Sequence, residues 1–248
     1  MRPLVRRRSQ DRNSGRARWF TSVVGRKLST ALVIVALVSL ALAGVAIAKT
    51  VVGTAGPDNL LGTSQPDQLY GEAGNDTLSA LGGPDYLEAG PGADDARGGT
   101  GADFLIGGTG RDLLSGEGGE DTVYAGHGND RVLGGADNDS LLGQVGDDQI
   151  AGGEGADKIW GGAGTDRLNG GVGNDQLMAS TQSTVDAGDD EDHIYLHDEG
   201  GPIPANAGVR AGAGNDIVDA RDGRRNFVDC GAGDDRLLRD PVDRATSC

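Results

Sequence analysis

GGTGADFLI (98–106) runs straight into GGTGRDLLS (107–115), and the same nine-residue unit returns as GGEGADKIW (152–160), GGAGTDRLN (161–169) and GGVGNDQLM (170–178). Outward from these units, aspartate holds the phase. Asp58, Asp67, Asp76, Asp85, Asp94, Asp103, Asp112, Asp121, Asp130, Asp139, Asp148, Asp157, Asp166 and Asp175 follow one another nine residues apart without a slip. Gly stands two places before twelve of these fourteen, the exceptions being Gln65 and Asp137. Two places after each Asp stands an aliphatic residue, from Leu60 and Leu69 to Leu168 and Leu177, and only Ala96 is small. A fixed period makes each unit one step of a repeating architecture, so it is read before any local secondary structure.

Each unit divides into a six-residue turn and a three-residue strand. Glycines at the first, second and fourth places allow positive φ and close backbone packing, which leaves their carbonyls able to face inward. The Asp carboxylate adds charged oxygen. Hard oxygen in this density suits Ca²⁺, which takes about six to eight such ligands at roughly 2.3–2.6 Å. No nitrogen or sulfur donor recurs in the unit, which argues against zinc and softer metals. The lone aliphatic of each strand faces the interior.

The units fit the pattern G-G-x-G-x-D-x-U-x, and the chain resembles the repeats-in-toxin, or hemolysin-type, calcium-binding family. The resemblance is close over residues 53–178 and scattered beyond. It implies an all-β fold, a right-handed parallel β-roll in which two nonapeptides make one coil and residues 18 apart stack. Parallel neighbours lie about 4.8 Å apart, close enough for two turns to share an ion. Asp58, Asp76, Asp94, Asp112, Asp130, Asp148 and Asp166 would then line one edge, and the alternate seven, from Asp67 to Asp175, the other. Six gaps per edge set a ceiling of about twelve Ca²⁺ ions. Weak or missing sites are expected at Asp67 and Asp139, whose turns lack the fourth-place Gly. Turn chemistry alone would explain one such Asp. A column of them would repel itself without cations between its members.

The phase is lost after Met178. AGDDEDHIY (187–195), AGAGNDIVD (211–219) and CGAGDDRLL (230–238) bring Asp192, Asp216 and Asp235 as further candidate ligands off the nine-residue register. Between them DEGGPIPANAG (198–208) reads as a surface loop. Residues 49–178 therefore form the regular array, and residues 179–248 form irregular coils ending in a cap. Cys230 and Cys248 are 18 residues apart, one coil of the implied roll, which puts them within disulfide reach. A disulfide stapling the cap is expected, and export would permit its oxidation.

Residues 1–48 hold nine of the 22 Lys and Arg but only one of the 38 acids, Asp11, which leaves 13 bases and 37 acids, a net charge of −24, for residues 49–248. The basic start leads into ALVIVALVSLALAGVAIA (31–48), which ends in the small-x-small triplet Ala46-Ile47-Ala48. That order is a secretory signal peptide, its apolar run a hydrophobic helix, cleaved after Ala48. An uncleaved anchor through residues 31–48 is the rival, and membrane contact is expected only in that case. Either way the repeats lie outside the cytoplasm, secreted or at the cell surface. The acidic body repels nucleic acid and anionic membrane, so cations are its natural partners. One interior aliphatic per nine residues cannot offset the entropy of ordering the other eight. The chain is therefore expected to fold when it meets extracellular calcium.

Enzymatic function is not expected. The three histidines, His127, His193 and His197, form no H-E-x-x-H, and no G-x-S-x-G occurs. No segment is left over for a catalytic domain, so the accessory module of an exported hydrolase is the lesser alternative. The stronger one is an adhesive or structural solenoid recognising a surface. The exposed third places carry no ladder of Thr for ice, and no particular protein or glycan partner is indicated.

Overall fold

The computed structural model describes residues 47–180, 182–197 and 208–248. The hydrophobic helix expected over residues 31–48 falls almost wholly outside them, as does most of the loop expected at residues 198–208. Among the described residues there is no helix, and hence none long and apolar enough to cross a membrane.

Twenty-two strands run from β1 (Thr50–Val52) and β2 (Asn59–Thr63) to β21 (Arg236–Arg239) and β22 (Arg244–Thr246). They alternate between two parallel sheets of eleven strands, one holding the odd-numbered strands and the other the even. This is the parallel β-solenoid that the family resemblance implies. Within the array residues 18 apart pair, as between β7 (Phe104–Gly110) and β9 (Thr122–His127), where Phe104 faces Thr122 and Leu105 faces Val123.

Side chains alternate across a strand, so two places per unit point inward, the eighth and the first, and the first is held by Gly or Ala in the array. The large side chains stand at the eighth place. Leu69, Leu78, Leu87, Leu105, Leu114, Val123, Val132, Leu141 and Ile159 are all fully buried, and the column of aliphatics from each sheet packs against the other to form one core. The seventh and ninth places face outward, where Tyr70, Tyr86, Phe104 and Tyr124 form a continuous ring ladder with centroids 5.4–5.8 Å apart.

Most strands in the array are longer than the three residues expected. β7 spans seven residues because Gly108 and Thr109, in the turn, also pair with the next coil. The pairing skips the first place. Gly107 and Ala125 stay out of the ladder between Ile106–Tyr124 and Gly108–Gly126. The turns thus stack as closely as the strands, and this sets the edges of the coil.

Beyond Met178 the coils continue, with changed lengths. Arg167 pairs with Thr184, 17 residues on; Thr184 with Gly208, 24 on; Gly208 with Phe227, 19 on; and Phe227 with Arg244, 17 on. Insertions and deletions enter at turns, which tolerate them, while strand pairing is kept. Cys230 and Cys248 form the expected disulfide, with Cα atoms 5.1 Å apart. Because the last coil has 17 residues, Cys248 lies one place beyond the register partner of Cys230, and Ser247, at φ 54°, turns the chain back towards it.

Candidate metal-binding edges

Each repeat Asp closes its turn and begins a strand, so the coil brings the sixth places of alternate units into two columns. Burial is nearly complete from Asp67 through Asp175, Asp192 and Asp216, while Asp58 and Asp235 at the ends are half-buried. The two oxygens of each carboxylate have different roles. Oδ1 accepts the backbone N–H of the equivalent Asp one coil earlier: Asp85 donates to Asp103 at 2.8 Å, and Asp103 to Asp121 at 2.7 Å. Fifteen such bonds, 2.6–3.0 Å long, tie the columns together.

Oδ2 is different. In Asp76, Asp85, Asp94, Asp103, Asp112, Asp121, Asp130, Asp139, Asp148, Asp157, Asp175, Asp192, Asp216 and Asp235 it is buried with no hydrogen-bond partner. Buried polar atoms are almost always paired, and an unpaired charged oxygen is the most costly exception. Burial accordingly raises the carboxyls of Asp112, Asp121, Asp139, Asp148, Asp175 and Asp192 to about 7, and that of Asp85 to about 6. The ladder N–H opposes this shift, and neighbouring carboxylates of the same column add to it.

The first-place glycine sits over this oxygen. A Cβ on Gly107 would lie 2.8 Å from Asp112 Oδ2 and closer still to the carbonyl oxygen of Ala125, the first place of the next coil on that side. Gly71, over Asp76 Oδ2 and Ala89 O, and Gly143, over Asp148 Oδ2 and Gly161 O, repeat the arrangement. At these turns an unpartnered carboxylate oxygen and an off-ladder carbonyl converge where a Cβ would intrude, while Ala80, Ala89 and Ala125 hold the same place in the Asp85, Asp94 and Asp130 units. This all-oxygen donor set fits Ca²⁺.

Three repeat aspartates are satisfied otherwise. Asp58 Oδ2 accepts from the N–H and hydroxyl of Thr54, and Asp67 Oδ2 likewise from Thr63. Asp166 Oδ2 accepts from the Ser183 hydroxyl at 3.3 Å, and the Asp166 N–H donates to Ser183 Oγ at 2.9 Å. At Asp67, where a weak site is expected, Oδ2 is thus already bonded by the second-place Thr63. Asp139 does not stand apart. Asp137 adopts the positive φ of the fourth place, 76°, and Asp139 keeps the geometry of its neighbours.

The off-phase residues rejoin the columns. Asp175 donates to Asp192, Asp192 to Asp216 and Asp216 to Asp235. On the other edge Ser183 takes the Asp place, and further along Asn226 donates to Asp243. Sequence reasoning passed over Thr54, Thr63, Ser183, Asn226 and Asp243. Thr54 and Thr63 were open to notice, since both occupy the second place. Ser183, Asn226 and Asp243 became recognisable only once the coil lengths were known. A second ladder also emerges at the fifth place, where Asn75, Asn129 and Asn138 each accept the N–H one coil later. His193 and Tyr195 touch edge-on outside the columns.

The profile of the RTX calcium-binding nonapeptide repeat matches residues 52–87, 88–123, 106–141, 142–177 and 209–227. No curated protein is significantly similar to the chain.

Proposed function

The chain belongs to the RTX calcium-binding nonapeptide repeat family, and we propose that it is a secreted or cell-surface protein that folds on binding several Ca²⁺ ions along both edges of its coil. The observation that carries this reading is the double column of buried carboxylates whose Oδ2 atoms have no partner in the protein. Ca²⁺ held there would supply the positive charge that the columns lack. The ligands would be the fourteen aspartates with unpartnered Oδ2, together with first-place carbonyls such as that of Ala125. Asp58, Asp67 and Asp166, whose Oδ2 atoms already meet hydroxyls, fall outside that set. Ion binding then contributes folding free energy directly, in place of the large core that the sequence does not provide. Export is supported by the basic-then-apolar order of residues 1–48 and by a disulfide, which persists in oxidising surroundings.

A calcium titration of residues 49–248 followed by far-UV circular dichroism, with magnesium as control, tests the reading. A cooperative, calcium-specific gain of β signal is expected. A full β signal in excess chelator at neutral pH would overturn folding on binding.

A further inference from the structure

The even-numbered sheet carries a cleft of about 750 Å³ on its outer face near the C-terminal end. That volume lies within the range of small-ligand clefts, about 300–1,000 Å³. Its floor spans β14 (Arg167–Val172), β16 (Thr184–Asp189), β18 (Gly208–Ala213), β20 (Phe227–Asp229) and β22. The row of outward residues crossing these strands reads Arg167, Thr184, Gly208, Phe227 and Arg244. Gly208 contributes no side chain, so one rung of the row is missing. The slot left between Thr184 and Phe227 spans two strand spacings, about 9.6 Å between backbones.

One wall of the slot is the Phe227 ring, 44 % exposed, with the Arg244 guanidinium 5.9 Å from its centroid on the side away from the slot. Arg210 projects from the same strand as Gly208, two residues on and on the same face, with Asp186 and Asp229 as its cross-strand neighbours. Arg167, Arg210 and Arg244 are exposed and form no ion pair with any described residue. Three unpaired guanidiniums against two carboxylates make a local positive site on a chain of net charge −16.

We propose that this cleft binds an acidic oligosaccharide, with one sugar ring seated in the slot against Phe227 and its carboxylate on Arg210. The slot admits a flat ring, and an aromatic face stacks well on the C–H face of a sugar. Arg210 matches a carboxylate through paired N–H donors. Asp186 and Asp229 accept from hydroxyls, which a purely anionic ligand would not offer. A peptide adding as a strand is excluded, because β18 is already paired on both sides, by β16 and β20. The cleft lies on the outer face of the sheet, so its reading does not depend on how the aspartate columns are filled.

Calorimetric titration of the full chain in calcium with trigalacturonate, and with maltotriose as the neutral control, tests the site. Gly208→Leu closes the slot at little structural cost: a Cβ at Gly208 meets only Thr184 Cγ2, at 3.9 Å, and its φ is not in the positive region. Trigalacturonate is expected to bind and maltotriose not to. Gly208→Leu should abolish the heat, and Arg210→Ala should weaken binding about tenfold, as loss of a charge-assisted pair does. Circular dichroism in calcium checks that each variant is folded. Should Gly208→Leu misfold, Arg210→Ala, which removes only an exposed side chain, carries the decision. No binding of trigalacturonate, equal binding of maltotriose, or unchanged affinity in a folded variant would each overturn the proposal.

Discussion

Within one repeat aspartate the two oxygens are unequal: Asp112 Oδ1 belongs to the backbone ladder, while Oδ2 faces a space that Gly107 keeps clear. Thr63 shows how a neighbour removes that inequality, because its N–H and hydroxyl both reach Asp67 Oδ2. Thr63→Gly removes the hydroxyl and lets the second place take the positive φ of Gly108, which turns the N–H away and should return Asp67 to the state of its neighbours. One additional bound calcium is expected by equilibrium dialysis, along with a loss of about 1 kcal/mol in calcium-free stability for the hydrogen bonds removed. Leu81 poses a different residue-scale problem. It occupies a second place at φ 79° with half its surface exposed, so an apolar side chain is held in a backbone region meant for Gly. Leu81→Gly is expected to stabilise the calcium-loaded chain by about 1 kcal/mol, the strain of a left-handed non-glycine residue, read from its denaturation midpoint. An unchanged or lower midpoint would count against strain at that place.

At the scale of the element, each strand is held by what its outward residues meet on the strands one coil away. On the odd-numbered sheet Phe104 lies between Tyr86, stacked at 5.8 Å, and Tyr124, tilted at 5.4 Å. Phe104→Ala removes both ring contacts and should lower stability by about 1–3 kcal/mol, leaving calcium stoichiometry unchanged because the ladder lies on the sheet face and not the edge. Retained stability would mean that the rings are merely adjacent. The strand positions themselves were legible in the sequence, because Asp and the aliphatic two places on mark the start and inner face of every unit. The alternating membership of the two columns was legible too, as Asp103 and Asp121 show by pairing 18 residues apart. Strand length was not. The three-residue estimate missed that turn residues such as Gly108 and Thr109 also pair between coils, a property of stacking that one unit cannot display. The coils after Met178 were obscured for a related reason: a turn that gains or loses residues breaks the numerical phase but not the pairing, so Asp192 and Asp216 looked displaced while remaining in column.

Taken whole, the molecule couples its fold to pH through carboxyls that burial raises to about 7. In an unfolded chain such groups titrate near 3.9. A folded value above the unfolded one means that protonation favours the calcium-free coil. That contribution is full below about pH 4 and lost as pH rises to about 7. Calcium reverses the dependence, since it requires the carboxylate form. In chelator, β signal at pH 4 should therefore exceed that at pH 8, and in calcium the midpoint concentration for folding should fall as pH rises through about 7. Equal signal at both pH values in chelator would contradict this coupling. The same columns have a direction. Every ladder bond runs from an amide on the earlier coil to a carboxylate on the later one, as from Asp85 to Asp103 and from Asp103 to Asp121. One end of the stack is therefore short of donors and the other short of acceptors, and two molecules meeting head to tail would continue each other. Contacts of that kind do not close into a ring but extend into filaments. The Cys230–Cys248 bridge and the arginines on β21 and β22 lie on the last described coil, where a covalent loop and positive charge would oppose stacking of that kind.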